Sequence, residues 1–356
     1  MRDVFESALE KMFTDHIAVE TVLAAESEGW LPGLWTIIED SGFALASAPE
    51  ELGGAGASWD DLFSVLLLCG RFSLPLPLPE ALLGNWGLGK SGIPALGVSM
   101  SVAADADLVW EGDVLSGTLS QVPWGRYVTQ VVAIVAGKER SDEEKASEEP
   151  RVVVLETALC FEQRLSTNTA GEPRDDLVFE KVTPLVSAPL ANTLESDALR
   201  RGGALLRAAQ MAGALQELMR LSSHYVNERV QFGKPIAKFQ VVQHQLAVLA
   251  EHVAAARVSA EAACVESTDS LAMLPVMAAK ICASEAAGIG ASSGHAVHGA
   301  IGFTHEYSLH LLTRRLWSWR SEYGSATHWS DELGRAVCKA GAAQYWPTIT
   351  TGVLSQ

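Results

Sequence analysis

Between Tyr225 and Gln243 the chain reads Y-V-N-E-R-V-Q-F-G-K-P-I-A-K-F-Q-V-V-Q, gathering an arginine, lysines and several amide side chains around one turn. The pattern leaves a helix at Arg229, turns at Gly233-Lys234-Pro235 and re-enters a helix that carries Gln240 and Gln243. Guanidinium, amide N–H groups and the positive end of a helix dipole all favour an anion, and a diphosphate suits them. The same spacing also describes an ordinary helix–turn–helix corner, and an isolated turn does not separate the two readings. A second cluster, His295, His298, His305 and His310, sets His295 and His298 at i and i+3 on one helix face. Zinc would need a third ligand and a supporting carboxylate. Glu306 is nearby, but no cysteine and no H-E-x-x-H run joins the group, so no metal is expected. The G-G-x-G at Gly53–Gly56 follows no strand and reads as a turn rather than a phosphate loop.

These groups need a large scaffold, and the chain supplies one. Its 356 residues are 48% hydrophobic and 19% charged, enough for a well-buried core in two or three domains. A net charge of -17 argues against nucleic acid and anionic membranes as partners, since both require a basic face. Arg229, Lys234 and Lys238 can still make a local basic pocket. The five cysteines are scattered, without a C-x-x-C pair, which fits buried thiols in a reducing compartment. No basic-then-apolar leader opens the sequence, and the run Leu62–Cys69 is far shorter than the roughly 20 residues of a spanning helix. A soluble, cytoplasmic protein is expected.

Apolar periodicity divides the chain into three parts. Residues 1–98 form a helical domain, in which Phe5, Leu9, Met12 and Phe13, then Leu62, Val65, Leu66 and Cys69, recur at helical spacing. Leu74–Pro79, alternating leucine and proline, must cross extended before a short helix at Glu80–Gly84. Residues 99–190 form a small β domain, with strands at Val128–Ala136, Arg151–Leu155 and Leu177–Val182 and a solvated loop over Lys138–Pro150. Residues 191–356 are helical and rich in alanine. Val242, Leu246, Leu249, Val253, Ala256, Ala260 and Ala263 make a bundle seam. Further helices over about 274–290 and 306–319 complete a four-helix bundle. The fold class is mostly α with a small central β domain.

Three segments resemble one family. R-x-Q-F-G-K-P-I-x-x-F-Q-x-x-Q from Arg229 is similar to the turn between the first two bundle helices of acyl-CoA dehydrogenases. His298-Gly299-Ala300-Ile301-Gly302-Phe303-Thr304-His305-Glu306 resembles that family's H-G-G-x-G-F-T-x-E segment. Pro49-Glu50-Glu51-Leu52-Gly53-Gly54-Ala55-Gly56 resembles its P-E-x-x-G-G-x-G signature. The matches stand in the family's order and cover both ends of the chain but not its middle.

The resemblance implies an acyl-CoA dehydrogenase fold, FAD as cofactor and removal of hydrogen across Cα–Cβ of an acyl-CoA thioester. It implies that Arg229, Gln231, Phe232, Ile236, Gln240 and Gly299 contact the adenine-diphosphate part of FAD held by a neighbouring subunit. Departures from the pattern carry equal weight. Ala296 stands where the family usually has glutamine, and Ala300 where it has its second glycine. Neither the A-x-T-E-P segment nor the tryptophan-threonine strand of the flavin-ring pocket is found over 99–190. Ungapped counting puts Gly203 and Tyr323 on the two positions the family uses for its glutamate base, with Glu322 one residue early. One residue turns a helical side chain by about 100°, so Glu322 is a candidate catalytic base only after a local register change. The expected protein is one subunit of a two-subunit, sterol-type dehydrogenase that lends the diphosphate grip to a catalytic partner. Two alternatives stand beside it: a self-sufficient homodimer using Glu322, and a flavin-free scaffolding relative.

Overall fold

The computed structural model describes residues 1–137 and 149–352. Helices α1 (Arg2–His16), α2 (Val19–Glu28), α3 (Pro32–Ser41), α4 (Trp59–Arg71) and α5 (Leu78–Lys90) come first. A capping box starts α4: the Ser58 hydroxyl accepts from the Asp61 N–H, and the Asp61 carboxylate accepts from the Ser58 N–H, both at 3.2 Å. Its periodic residues Leu62, Val65, Leu66 and Cys69 are all buried. Helix α5 is longer than the sequence suggests because Gly84 is no breaker. A Cβ there would lie 2.5 Å from Met100 Sδ, so the glycine exists to let the helix approach the first strand.

The β domain follows as β1 (Met100–Ala103), β2 (Asp105–Glu111), β3 (Val114–Pro123), β4 (Gln130–Val135), β5 (Arg151–Glu156), β6 (Glu162–Arg164), β7 (Arg174–Val182) and β8 (Val186–Pro189). One sheet runs β1-β4-β5-β8 and the other β2-β3-β7-β6. Among the described residues, the β1–β4 pair alone is parallel. Leu115, Leu119, Val131, Val153, Leu155, Leu177 and Phe179 form a core of their own. Strands β4 and β5 pair antiparallel, with Val135 opposite Arg151. The charged loop expected between them lies outside the described residues except for Glu149 and Pro150.

The bundle consists of α6 (Ala198–Glu228), α7 (Gln240–Glu266), α8 (Met273–His298) and α9 (Leu309–Trp319), followed by α10 (Ala326–Ala340) and α11 (Ala342–Thr351). The α7 seam is buried from Leu249 through Ala263 and half-buried at Val242 and Leu246, where the helix projects toward the exposed turn. Helix α8 outruns its expected end at Gly290 for the same reason that α5 does. A Cβ on Gly290 would meet Leu215 Cδ2 of α6 at 2.4 Å, so this glycine too serves close approach. The segment Met273–Phe303 is long and apolar enough to cross a membrane by composition, and 56% of its most apolar window is buried in the molecule.

Candidate functional site

Arg229 ends α6 with its N–H bonded to the Tyr225 carbonyl at 2.9 Å and its side chain exposed. Short strands at Val230–Gln231 and Lys234–Pro235 pair across the turn, with Gln231 opposite Lys234. Phe232 at its tip has φ 51° and is 90% exposed, a costly setting for an aromatic ring in an isolated chain. Lys234 Nζ lies over the Phe239 ring at 4.5 Å. Gln240 opens α7, whose N-cap Phe239 offers no side-chain cap, leaving first-turn N–H groups open to an anion. Ile236 is half-buried and anchors the turn. Among the described residues, the side chains of Arg229, Gln231 and Gln240 have no internal partner. Their chemistry faces outward.

Gly299 ends α8, and the structure brings that end beside the end of α6. The Tyr225 ring stacks on His298 at 4.6 Å between centroids. The exposed side chains Val230, Phe232, Val241, Ile301 and Phe303 belong to the segments of these two helix ends. His295 and His298 bond to Thr313, Gly294 and Tyr307, and the described residues contain no group able to hold a metal.

Glu322 belongs to a different place. Arg174 Nε and Nη2 donate to its two carboxylate oxygens at 3.0 Å each, Arg207 Nε donates at 2.7 Å and Asn168 Nδ2 at 2.8 Å. Arg207 Nη2 continues to Glu80 at 2.7 Å, and Arg174 Nη2 to Glu172 at 2.9 Å. Arg315 joins Glu172 to Glu26. This buried chain of charges draws on α2, α5, the β7 region, α6, α9 and the α9–α10 loop, and so ties all three parts of the fold together. Burial alone would raise the carboxyls of Glu322 and Glu172, but their arginines outweigh it and hold both below the ordinary range. A carboxylate already saturated by charged donors is a poor proton acceptor. Burial pushes Lys280 down to about 7, and its Nζ donates to the carbonyls of Arg320 and Gly324, flanking Glu322.

Gly203 and Tyr323, counted in sequence as the base positions, do meet in space. A Cβ on Gly203 would fall 2.3 Å from Tyr323 Cδ1, so the tyrosine ring fills the room a side chain at 203 would need. The Tyr323 hydroxyl is buried, and its proton is held more tightly than usual by burial and by Glu80. Neither position carries a carboxylate. A cleft of about 470 Å³ opens beside them, lined by Val102, Thr167, Asn168, Trp317, Ser318 and Glu322 among others. For FAD, the exposed Arg229, Gln231 and Gln240 side chains are of the donor type that a diphosphate requires. Among the described residues, the two carboxylates that line the cleft between β domain and bundle are both ion-paired, Glu322 with Arg174 and Arg207 and Asp105 with Arg200.

The pairing has a pH signature. Glu322 and Glu172 lie below their ordinary value of 4.5 in the fold, so the folded state binds fewer protons than the unfolded one in acid. Their contribution is complete above that value and is lost as pH falls beneath it. The stability gap between the chain and its Glu322→Gln variant, measured by urea unfolding, should shrink from about pH 6 to about pH 3. A constant gap would remove Glu322 from the ion-pair account.

The sequence marked the turn and missed the buried charges. Its one available signal was a charged residue interrupting an apolar helix, as Arg207 does between Leu206 and Ala208, or Glu80 between Pro79 and Ala81.

Residues 201–326 match the family model described as acyl-CoA dehydrogenase, C-terminal domain. Acyl-CoA dehydrogenase IpdE2 of Mycobacterium tuberculosis is 30% identical over 332 residues, which span 88% of this chain and 90% of that protein. Among solved structures, the chain is similar to the Tcur3481-Tcur3483 steroid ACAD G363A variant, with a TM-score of 0.82 and 22% identity over 95% of this chain and 97% of that one. It is also similar to the ChsE4-ChsE5 complex from Mycobacterium tuberculosis, with a TM-score of 0.81 and 20% identity over 96% and 98% of the two chains. At those identities the structural likeness is one of fold.

Proposed function

This chain belongs to the acyl-CoA dehydrogenase family of oxidoreductases acting on CH–CH bonds, and on that premise we propose that it is the non-catalytic member of a two-subunit enzyme. Its turn at Arg229–Gln240 and the end of α8 at Gly299 grip the diphosphate of an FAD whose ring lies in the partner. The substrate is an acyl-CoA thioester of sterol type, a reading supported by the steroid ACAD among the similar structures, and the pairing of unlike subunits is supported by the ChsE4-ChsE5 complex.

One observation carries the proposal. Arg207, which holds Glu322, and Arg229 lie on the same helix 22 residues apart. That is roughly 33 Å along the axis. The ribityl linker between a flavin ring and its diphosphate is far shorter. The outward grip therefore serves a flavin other than one lodged beside Glu322, and the caged Glu322 and the Tyr323–Gly203 contact leave neither base position with a free carboxylate. In this role FAD supplies the hydride acceptor in the partner. Arg229 offers a two-pronged charged donor, Gln231 and Gln240 offer amide donors, and Phe232 and Ile236 offer apolar contact.

The test reads FAD dissociation constants of the assembled complex. Arg229→Ala is expected to weaken retention by about 1.5–3 kcal/mol, the range for hydrogen bonds to charged groups. Arg229→Lys should recover part, since lysine keeps the charge but not the fork. Gln240→Ala, losing a neutral donor, should be mildest. If Arg229→Ala leaves flavin content unchanged while lowering thermal stability, Arg229 is only a helix-corner residue and the proposal fails.

A further inference from the structure

The two halves of the grip come from different helices, and something must hold them in register. The geometry points to His298 as the positioning residue that couples the Arg229 turn to the Gly299 turn, acting through Tyr225 and Tyr307; this rests on the diphosphate reading above. His298 is 3% exposed. Its Nδ1 lies 2.7 Å from the Gly294 carbonyl, which can only accept, so Nδ1 carries the proton. Nε2 is then an acceptor, and the Tyr307 hydroxyl donates to it at 3.2 Å. One neutral tautomer satisfies both bonds.

Each partner of this imidazole reaches one half of the grip. Tyr225 stacks on the ring, donates its hydroxyl to the His298 carbonyl at 3.3 Å, and with its own carbonyl accepts the Arg229 N–H. On the other side, His298 immediately precedes Gly299, whose φ of 63° turns the chain out of α8. The turn then folds back, so that a Cβ on Gly302 would lie 3.0 Å from His298 Cβ. Tyr307 closes the cluster at 5.0 Å from the His298 ring. Burial lowers the His298 pKa, which keeps the imidazole in the neutral form that these bonds use. His298 itself is buried, so its effect must pass through the position of the two turns.

The experiment compares FAD with FMN in the flavin-loaded complex. FMN lacks the adenosine monophosphate half of FAD, and with it the adenine and one of the two phosphates that the grip would hold, so it responds to general damage and only weakly to the register of the turns. His298→Phe keeps the stacking ring and loses both hydrogen bonds, and Tyr307→Phe removes a single hydroxyl. Each is expected to weaken FAD about three- to twentyfold while changing FMN affinity less than about twofold. His298→Asn, which can restore the donor to Gly294, should recover part of the loss. Equal losses for FAD and FMN, or no loss for FAD in either variant while Arg229→Ala still loses FAD, would overturn the role of His298 alone. If Arg229→Ala also has no effect on FAD, the diphosphate reading falls with it.

Discussion

Replacing Arg207 by alanine is expected to cost the fold about 3–5 kcal/mol, the range for breaking a buried ion pair by removing one partner. Arg207 is 2% exposed and bridges Glu80, also 2% exposed, to Glu322. Truncation leaves two carboxylates facing an empty space with no cation between them. Arg174 can still neutralise Glu322, but Glu80 has no other ion-pair partner among the described residues. The loss would also loosen the junction of α5, α6 and the α9–α10 loop. Equilibrium urea unfolding of the full chain measures it, with Arg207→Met/Glu80→Gln as the control. Removing both charges while keeping volume should cost much less, since a buried pair is weak net stabilisation but a lone buried charge is a large penalty. A loss below about 1 kcal/mol for Arg207→Ala would mean that the network is solvated and holds nothing together.

The difference between what the sequence disclosed and what it hid follows from how each feature is encoded. The Arg229 turn is legible because its residues are contiguous and outward, so nothing distant alters their meaning. The division into helical, β and helical parts is legible from the period of apolar residues, which changes near Ser99 and again near Ala191. Helix ends were misread at Gly84 and Gly290, where glycine marks a close contact with Met100 and Leu215, partners invisible in local sequence. The charge network was hidden most completely. Its members at 26, 80, 172, 174, 207, 315 and 322 share no spacing, and folding alone assembles them. Counting residues nevertheless paired Gly203 with Tyr323, and the structure puts one ring against the other's missing side chain.

That pairing gives the second large effect. The purified chain, alone, is expected to show no dehydrogenation of acyl-CoA thioesters above background. Loss of a general base typically costs about 10²–10⁴ in rate, and here both positions lack a carboxylate while the adjacent Glu322 is held as an anion by two arginines. An ion-paired Glu322 has a structural consequence when changed, not a chemical one. Its replacement by glutamine should lower stability in neutral solution and leave the chemical step of the complex untouched, at temperatures where the variant stays folded.

The decisive measurement is steady-state turnover with an artificial electron acceptor, by the chain alone and by the complex, each with and without Glu322→Gln. A silent chain, together with a complex whose kcat is unchanged by that substitution, is the result expected of a subunit that lends its diphosphate grip to another's flavin. Turnover by the chain alone, abolished by Glu322→Gln, would make Glu322 the base and the chain a self-sufficient enzyme.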